Sequence, residues 1–334
     1  MLQIPENYKC TLDLRQTQTA IKVIKDTFQK TLSEALNLDR ITAPIIVRSD
    51  CGINDDLNGV ERKVNFSVKE LNEDKCEVVQ SLAKWKRMAL HRYGYAPGEG
   101  IYTDMNAIRR DDDMDNLHSI FVDQWDWERI ITKEDRSIEF LKDTVVKIAS
   151  AIYYTLSKVK EIYPQIPTVI SDEVYFITSQ ELEDMYPNLS AKERENAVVK
   201  KYKTVFLMQI GAKLKSGEKH DGRAPDYDDW KLNGDLLYWN EVLGSAIEIS
   251  SMGIRVDAKA LEEQLKISGH EERKKFNYHS MILNNELPLT IGGGIGQSRL
   301  CLLLLGKAHV GEVQVSVWDE EMIKKCKENG ITLL

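Results

Sequence analysis

Cysteine is scarce and forms no pairing pattern. Cys10, Cys51, Cys76, Cys301 and Cys326 are scattered, odd in number, and never spaced as C-x-x-C. That spacing argues against a thiolate zinc site and fits reduced thiols in a cytoplasmic protein. The six histidines show no H-E-x-x-H or similar metal spacing. No apolar stretch is long enough to span a bilayer, and the opening "MLQIPENYKC" has no apolar signal core. Positive charge is in deficit, with 45 Lys+Arg against 53 Asp+Glu and a net charge of −8. A protein living mainly on nucleic-acid phosphates is therefore not expected, although a local basic pocket could still take a nucleotide. Linkers, repeats and low-complexity tracts are absent too. What remains is an ordinary globular composition, 42% hydrophobic and 29% charged over 334 residues. We read it as one α+β domain covering 1–334, with its later strands mostly antiparallel.

Ile21, Ile24, Phe28, Leu32 and Leu36 recur at steps of three and four, which predicts a helix over about 16–38. Pro44 follows in the extended "ITAPIIV". "CEVVQSLAKWKRMALHRYG" reads as a short strand and then a helix stopped at Gly94. "SIFVDQWDWERI" alternates, placing Trp125 and Trp127 on one face and Gln124, Asp126 and Glu128 on the other. A second long helix is expected over 136–162, ended by Pro164 and Pro167. Thr178 with Glu181, and Ser190 with Glu193, are capping-box pairs that open two more helices. "TVFLMQIG" is an apolar strand, and "GDLLYWNEVLGSAIEISSMGIRV" reads as two strands around a turn.

The stretch "GGGIGQSRL", residues 292–300, asks for a ligand. Glycine lets a backbone approach a bound molecule closely. A dinucleotide fingerprint fails, because Arg299 stands where the third glycine belongs. A P-loop fails for want of Gly-Lys-Ser/Thr. What is left is G-x-G-x-G-x-x-R: a small-residue strand running into an apolar helix, with an arginine at the junction. The glycines alone leave open a tight strand-to-helix packing with a surface arginine.

Other polar residues sit where strands normally bury apolar ones. With the tryptophans facing the core, Gln124 and Asp126 would line a cleft or a solvated sheet face. Asp235 and Glu248, on neighbouring strands, could hold Mg²⁺ through oxygen ligands or be a surface acidic pair. Arg255 follows Glu248 beyond the small residues "SSMG". "HDGRAPDYDDW" is too polar for a core segment. "SLAKWKR" offers Lys84, Lys86 and Arg87, which could equally be the basic face of a solvated helix. Arg109 and Asp111 form an arginine-x-acid pair before the tryptophan strand.

In order, these pieces resemble the signature motifs of the class II aminoacyl-tRNA synthetase catalytic core, an antiparallel sheet flanked by helices. One departure is Ser298, where those synthetases usually carry glutamate before the arginine. The match narrows further. "QSLAKWKR", "FVDQWDWE", "RAPDYDDW", "EISSMGIRVDA" and "TIGGGIGQSRL" resemble the ammonia-dependent asparagine synthetases (aspartate–ammonia ligases) over essentially the whole chain. The join between "DDW" and "LNGD" is shorter here than is usual in that family.

The resemblance implies a reaction: aspartate, ATP and ammonia give asparagine, AMP and pyrophosphate through β-aspartyl-AMP. It also implies roles. Arg109 would clamp the α-phosphate and the attacking carboxylate. Arg299 would meet adenine and the γ side of ATP, over glycines that include Gly294. Tyr227, Asp228, Glu248, Ser250 and Ser251 would meet the nucleotide, and Asp235 with Glu248 would hold Mg²⁺. Arg255 and Lys86 are the expected cations for aspartate, with Ser81, Gln124, Asp126 and Arg223 as its further contacts. Because the side-chain carboxylate must face ATP, Arg255 is expected on the α-carboxylate. Asp55, in "CGINDDLNG", is the expected partner of ammonia, with Asp56 beside it as its nearest confusion. A homodimer is implied, with the 16–38 stripe and the Pro44 segment as its interface. A tRNA synthetase is disfavoured by the acidic charge and by the lack of residues for an anticodon-binding domain. A glutamine-dependent synthetase is disfavoured because Met1-Leu2 supplies no N-terminal cysteine. A catalytically dead paralogue is disfavoured by the presence of Arg109, Glu248 and Arg299.

Overall fold

The computed structural model describes residues 2–55, 57 and 61–334. Strands come first as β1 (Leu38–Arg40), β2 (Ile46–Arg48), β3 (Asn65–Val68), β4 (Asp74–Val78), β5 (Gly100–Ile108) and β6 (Phe121–Ile130). The later strands are β7 (Tyr175–Thr178), β8 (Thr204–Met208), β9 (Asp228–Asn240), β10 (Ser245–Arg255) and β11 (Thr290–Gly296). The helices are α1 (Leu14–Leu36), α2 (Ala83–Tyr93), α3 (Ile138–Ile162), α4 (Ser179–Met185) and α5 (Ala191–Tyr202), then α6 (Ala258–Ser268), α7 (Asn277–Leu283), α8 (Gln297–Leu305) and α9 (Glu320–Glu328).

Eight strands form one sheet in the order β1-β5-β6-β11-β10-β9-β8-β7. Only the outer pairs, β1 with β5 and β7 with β8, run parallel. All the inner pairs are antiparallel, as the hairpin reading of residues 234–256 requires. A separate small sheet, β2-β4-β3, carries the segment after Pro44. Its β4 is the short strand read at "CEVV"; β2 and β3 are too short to show alternation in the sequence.

Periodicity placed α1 well. Asp13 and Gln16 form its capping box, and Asn37 ends it in a left-handed conformation. Of its expected stripe, Ile24, Phe28, Leu32 and Leu36 are buried in the main core, with side chains of α3, α8 and the sheet, and Ile21 packs half-buried against them. Phe28 meets Trp125 at a ring-centroid distance of 4.8 Å. The stripe is therefore not a free interface, which corrects its expected role in a dimer. A 3.6-residue repeat reports burial but not which partner does the burying. Both capping boxes at Thr178 and Ser190 are present. No helix among the described residues is long and apolar enough to cross a membrane.

With α1, α3 and α8 covering one face of the sheet, its opposite face is free to carry polar side chains. Trp125 and Trp127 go to the core. Gln124, Asp126 and Glu128 project the other way, as the alternation predicted.

Candidate active site

A cavity of about 610 Å³ opens on that polar face. Gly293, Gly294 and Gly296 of β11 line it, with Gln124 and Asp126 from β6 and Arg299 from the first turn of α8. Ser81, Arg109, Glu248, Ser251 and Arg255 contribute further walls. Arg223 and Tyr227, from the polar loop before β9, and Asp228 at the start of β9 close one side. The sequence thus brought most of its candidates to one place. Asp55, Lys86, Ser250 and Asp235 lie outside the lining, and Asp56 lies outside the described residues.

Ser250 is displaced for a structural reason. Strict alternation puts Glu248 and Ser250 on one face. A register shift between them, a β-bulge, adds a residue on β10. Glu248 and Ser251 then share the cavity, while Ser250 is buried. Lys86 is a second correction. Its ammonium is fully buried and bonds Asp126, the Trp127 carbonyl at 2.8 Å and the Gly293 carbonyl at 3.3 Å. It braces the sheet from α2 and has no donor left for a substrate carboxylate. Lys84 is buried as well, against Asp226 at 3.1 Å, so "SLAKWKR" is not a solvated basic face.

The floor of the cavity is a buried ion cluster. Arg255 forks onto Glu128 through Nε at 3.0 Å and Nη2 at 2.7 Å, and its Nη1 bonds Asp228. Burial pushes Glu128 up, but Arg255 and Lys86 outweigh it and hold the carboxylate below its ordinary range. Arg255 is stabilised as a cation in the same way: burial opposes it, and Glu128 with Asp228 prevail. Alternation had put Glu128 on the polar face of β6, but nothing nearby in sequence marked it for a role in the site. Two cations, Arg255 and Lys86, face three carboxylates, those of Asp126, Glu128 and Asp228.

This cluster explains the glycines. A Cβ on Gly292 would strike the Glu128 carboxylate and the Arg255 guanidinium, and one on Gly294 would strike the Gln124 amide. The strand is bare because side chains of β6 and β10 cross over it. Gly292→Ala is expected to force the Arg255–Glu128 pair apart. Breaking such a pair costs about 3–5 kcal/mol, so a clear drop in calorimetric Tm should accompany the loss of activity. An unchanged Tm would contradict the steric account.

Arg299 crosses the cavity. Its Nη1 donates to the Glu248 carbonyl at 3.2 Å and its Nε to the Leu117 carbonyl at 3.4 Å. Ser298, the departure from the synthetase pattern, has its own partner: Asp123 accepts from its backbone N–H at 3.1 Å and from its hydroxyl at 2.7 Å. Asp123 thereby caps α8 from the neighbouring strand and fixes the base of Arg299. Arg109 donates to the Gln80 carbonyl at 3.4 Å. Its buried Nε has no hydrogen-bond partner among the described residues, as expected of a cation waiting for an anion.

Asp55 is buried beside the cavity. Its backbone N–H donates to Asn54 Oδ1 at 3.0 Å. Its charge, second to that of Asp226, helps keep Lys84 protonated. Asp226 collects Lys84, Arg273 at 2.9 Å and His279 at 2.9 Å, and they hold it far below the carboxylate range despite its burial. Asp235 is gripped by Arg223. Burial and the Glu248 charge push it up to about 7 against that arginine.

The family profile for aspartate–ammonia ligase matches residues 15–330. The chain belongs to the aspartate–ammonia ligase family. It is 61% identical over 333 residues to the aspartate–ammonia ligase of Clostridium tetani, covering 100% of this chain and 98% of that one. Identity to the Ruminiclostridium cellulolyticum ligase is 58%, with 99% and 98% coverage. Among solved structures, asparaginyl-tRNA synthetase of Pyrococcus horikoshii with asparaginyl-adenylate superposes with TM-score 0.63 at 16% identity, over 89% of this chain and 68% of that one. The Entamoeba histolytica asparaginyl-tRNA synthetase gives 0.62 at 14% identity, and the chain spans 90% of itself but 66% of that protein. These likenesses establish the class II synthetase fold.

Proposed function

We propose that the chain makes L-asparagine from L-aspartate and ammonia with ATP, through β-aspartyl-AMP, releasing AMP and pyrophosphate. Family membership supports the overall ligation. The observation that carries the adenylate route is that Arg109 and Arg299 line one cavity together with the glycines of β11. Arg109, with its unpartnered Nε, receives the α-phosphate and the attacking β-carboxylate. Arg299 lies over adenine and reaches the outer phosphates, since a guanidinium plane suits both stacking and phosphate binding. Tyr227, Glu248 and Ser251 contact the nucleotide.

Aspartate sits over the ion cluster. Arg255 keeps N–H groups on Nη1 and Nη2 for its α-carboxylate. Its α-ammonium is assigned to Asp126, Gln124 and Ser81, which share the lining. The chain's work is positioning and charge neutralisation. Adenylate formation is expected to yield AMP; incubation with aspartate, ATP, Mg²⁺ and ammonium that produced ADP would overturn it.

Mg²⁺ fits the carboxylates present. Glu248 is open to the cavity, and Asp235 behind it is raised by burial and by Glu248, a like-charge strain that a hard divalent cation relieves. Glu248, then Asp235, would hold the ion, which would neutralise phosphate charge.

The same reading places the enzyme in the cytoplasm, without a nucleic-acid partner, as a homodimer. Free cysteines throughout suit a reducing compartment. With the α1 stripe buried, the Pro44 segment remains for the dimer, where Ile45 and Ile46 are exposed. Light scattering at micromolar concentration should give the mass of two chains. A monomer would refute the dimer.

A further inference from the structure

One buried polar group beside Asp55 has no role in the reaction as described so far. Gln80 lies between β4 and α2 and is fully buried. Its backbone N–H donates to Asn54 Oδ1 at 2.8 Å, and its carbonyl accepts from Arg109. Its side-chain Nε2 donates to the Asp55 carbonyl at 3.0 Å. The other half of the amide, Oε1, has no hydrogen-bond partner among the described residues. Nearly every buried acceptor in a folded protein is satisfied, so this one calls for an occupant. The orientation of the amide follows from its neighbour, since a flip would set two oxygens against each other.

We propose that Gln80 Oε1 and the Asp55 carboxylate together bind ammonia, with Gln80 accepting one of its N–H groups. The proposal rests on the reaction assigned above. The occupant must be a donor, because Oε1 can only accept. It must be small, because Gln80 and Asp55 are both buried and outside the cavity lining, to which the adjoining Ser81 and Arg109 belong. It must also be placed near the anhydride. Gln80 touches Arg109, the α-phosphate cation, through its main chain and Asp55 through its side chain.

Ammonia held by two oxygen acceptors keeps its lone pair free. That pair forms the C–N bond to the β-carbonyl carbon. The C–O bond to phosphorus breaks, AMP leaves with the electron pair, and one N–H proton passes to Asp55. A neutral amide suits this task better than a second carboxylate, which would hold the nucleophile as ammonium.

The test is kinetic. Gln80→Met keeps the volume and removes the acceptor. The ammonium KM is expected to rise roughly tenfold or more, the cost of a lost buried hydrogen bond. The aspartate KM and the aspartate-dependent pyrophosphate–ATP exchange should stay within about twofold, since neither uses ammonia. Gln80→Asn withdraws the acceptor with a smaller polar side chain and should also raise the ammonium KM, which covers a failure of the methionine variant to fold. Gln80→Glu, protonated in so buried a site, restores donor and acceptor and should return the KM to within about threefold of wild type. An unchanged ammonium KM in the methionine and asparagine variants overturns the assignment. So does loss of exchange together with synthesis, because Gln80 would then only brace Arg109 and Asp55. Absence of exchange in the wild type would instead refute the adenylate route, and the ammonium KM would still judge Gln80.

Discussion

Arg299→Lys is expected to lose on the order of 10²-fold in kcat/KM, the scale of removing one preorganised charge-stabilising donor. The substitution keeps the positive charge, so a purely coulombic role would survive it. What it removes is geometry. Arg299 bridges two carbonyls, those of Glu248 on β10 and Leu117 beyond the acidic loop, and these fix the guanidinium plane across the glycine strand. A lysine ammonium could reach one of the two and presents no flat face. The base of the side chain stays anchored, because Asp123 still caps Ser298 and Gln314 still donates to the Ser298 hydroxyl at 3.0 Å. The defect should therefore fall on ATP: its KM should rise, and the exchange reaction should fail together with synthesis. Activity within a factor of three of wild type would refute the stacking role.

Local patterns were legible where one physical rule decides them. The Thr178 and Ser190 boxes and the alternation around Trp125 follow from hydrogen-bond satisfaction and from period, and the structure bears them out. Partners were less legible. The α1 stripe is apolar whether it meets α3 or a second subunit, and sequence cannot choose between them. Ser250 and Ser251 are adjacent serines, and only the bulge on β10 decides which one faces the cavity. Counting by twos cannot see an inserted residue. The sequence left Lys84 and Lys86 between a site and a solvated face, because lysine is rarely buried. Here each meets a buried carboxylate contributed by a remote segment. Glu128 was missed for the complementary reason: its cations come from α2 and β10. The glycines of β11 stood out in the sequence. The crowding that requires them comes from neighbouring strands.

Asp55→Asn is expected to separate the two halves of the reaction. Adenylate formation uses ATP, Mg²⁺ and aspartate, and nothing in it calls for a base at Asp55. Ammonia attack does, since the nitrogen that enters the product must shed a proton. The asparagine variant is close in shape, and its backbone contacts to Asn54 and Gln80 do not depend on the carboxylate. It cannot accept that proton. Asparagine formation should fall by about 10²-fold or more, the usual worth of a positioned general base. Aspartate-dependent pyrophosphate–ATP exchange should persist. Hydroxylamine, already neutral near pH 7, should recover part of the lost turnover by trapping the adenylate. The contrary result would be equally informative. Asp126, Glu128 and Asp228 are the other carboxylates near the substrate's α-ammonium, but Lys86 already occupies Asp126 and Arg255 the other two. If exchange disappears along with synthesis, Asp55 is the group that holds the α-ammonium. Gln80, tied to the Asp55 backbone, would then belong to the aspartate site rather than to ammonia.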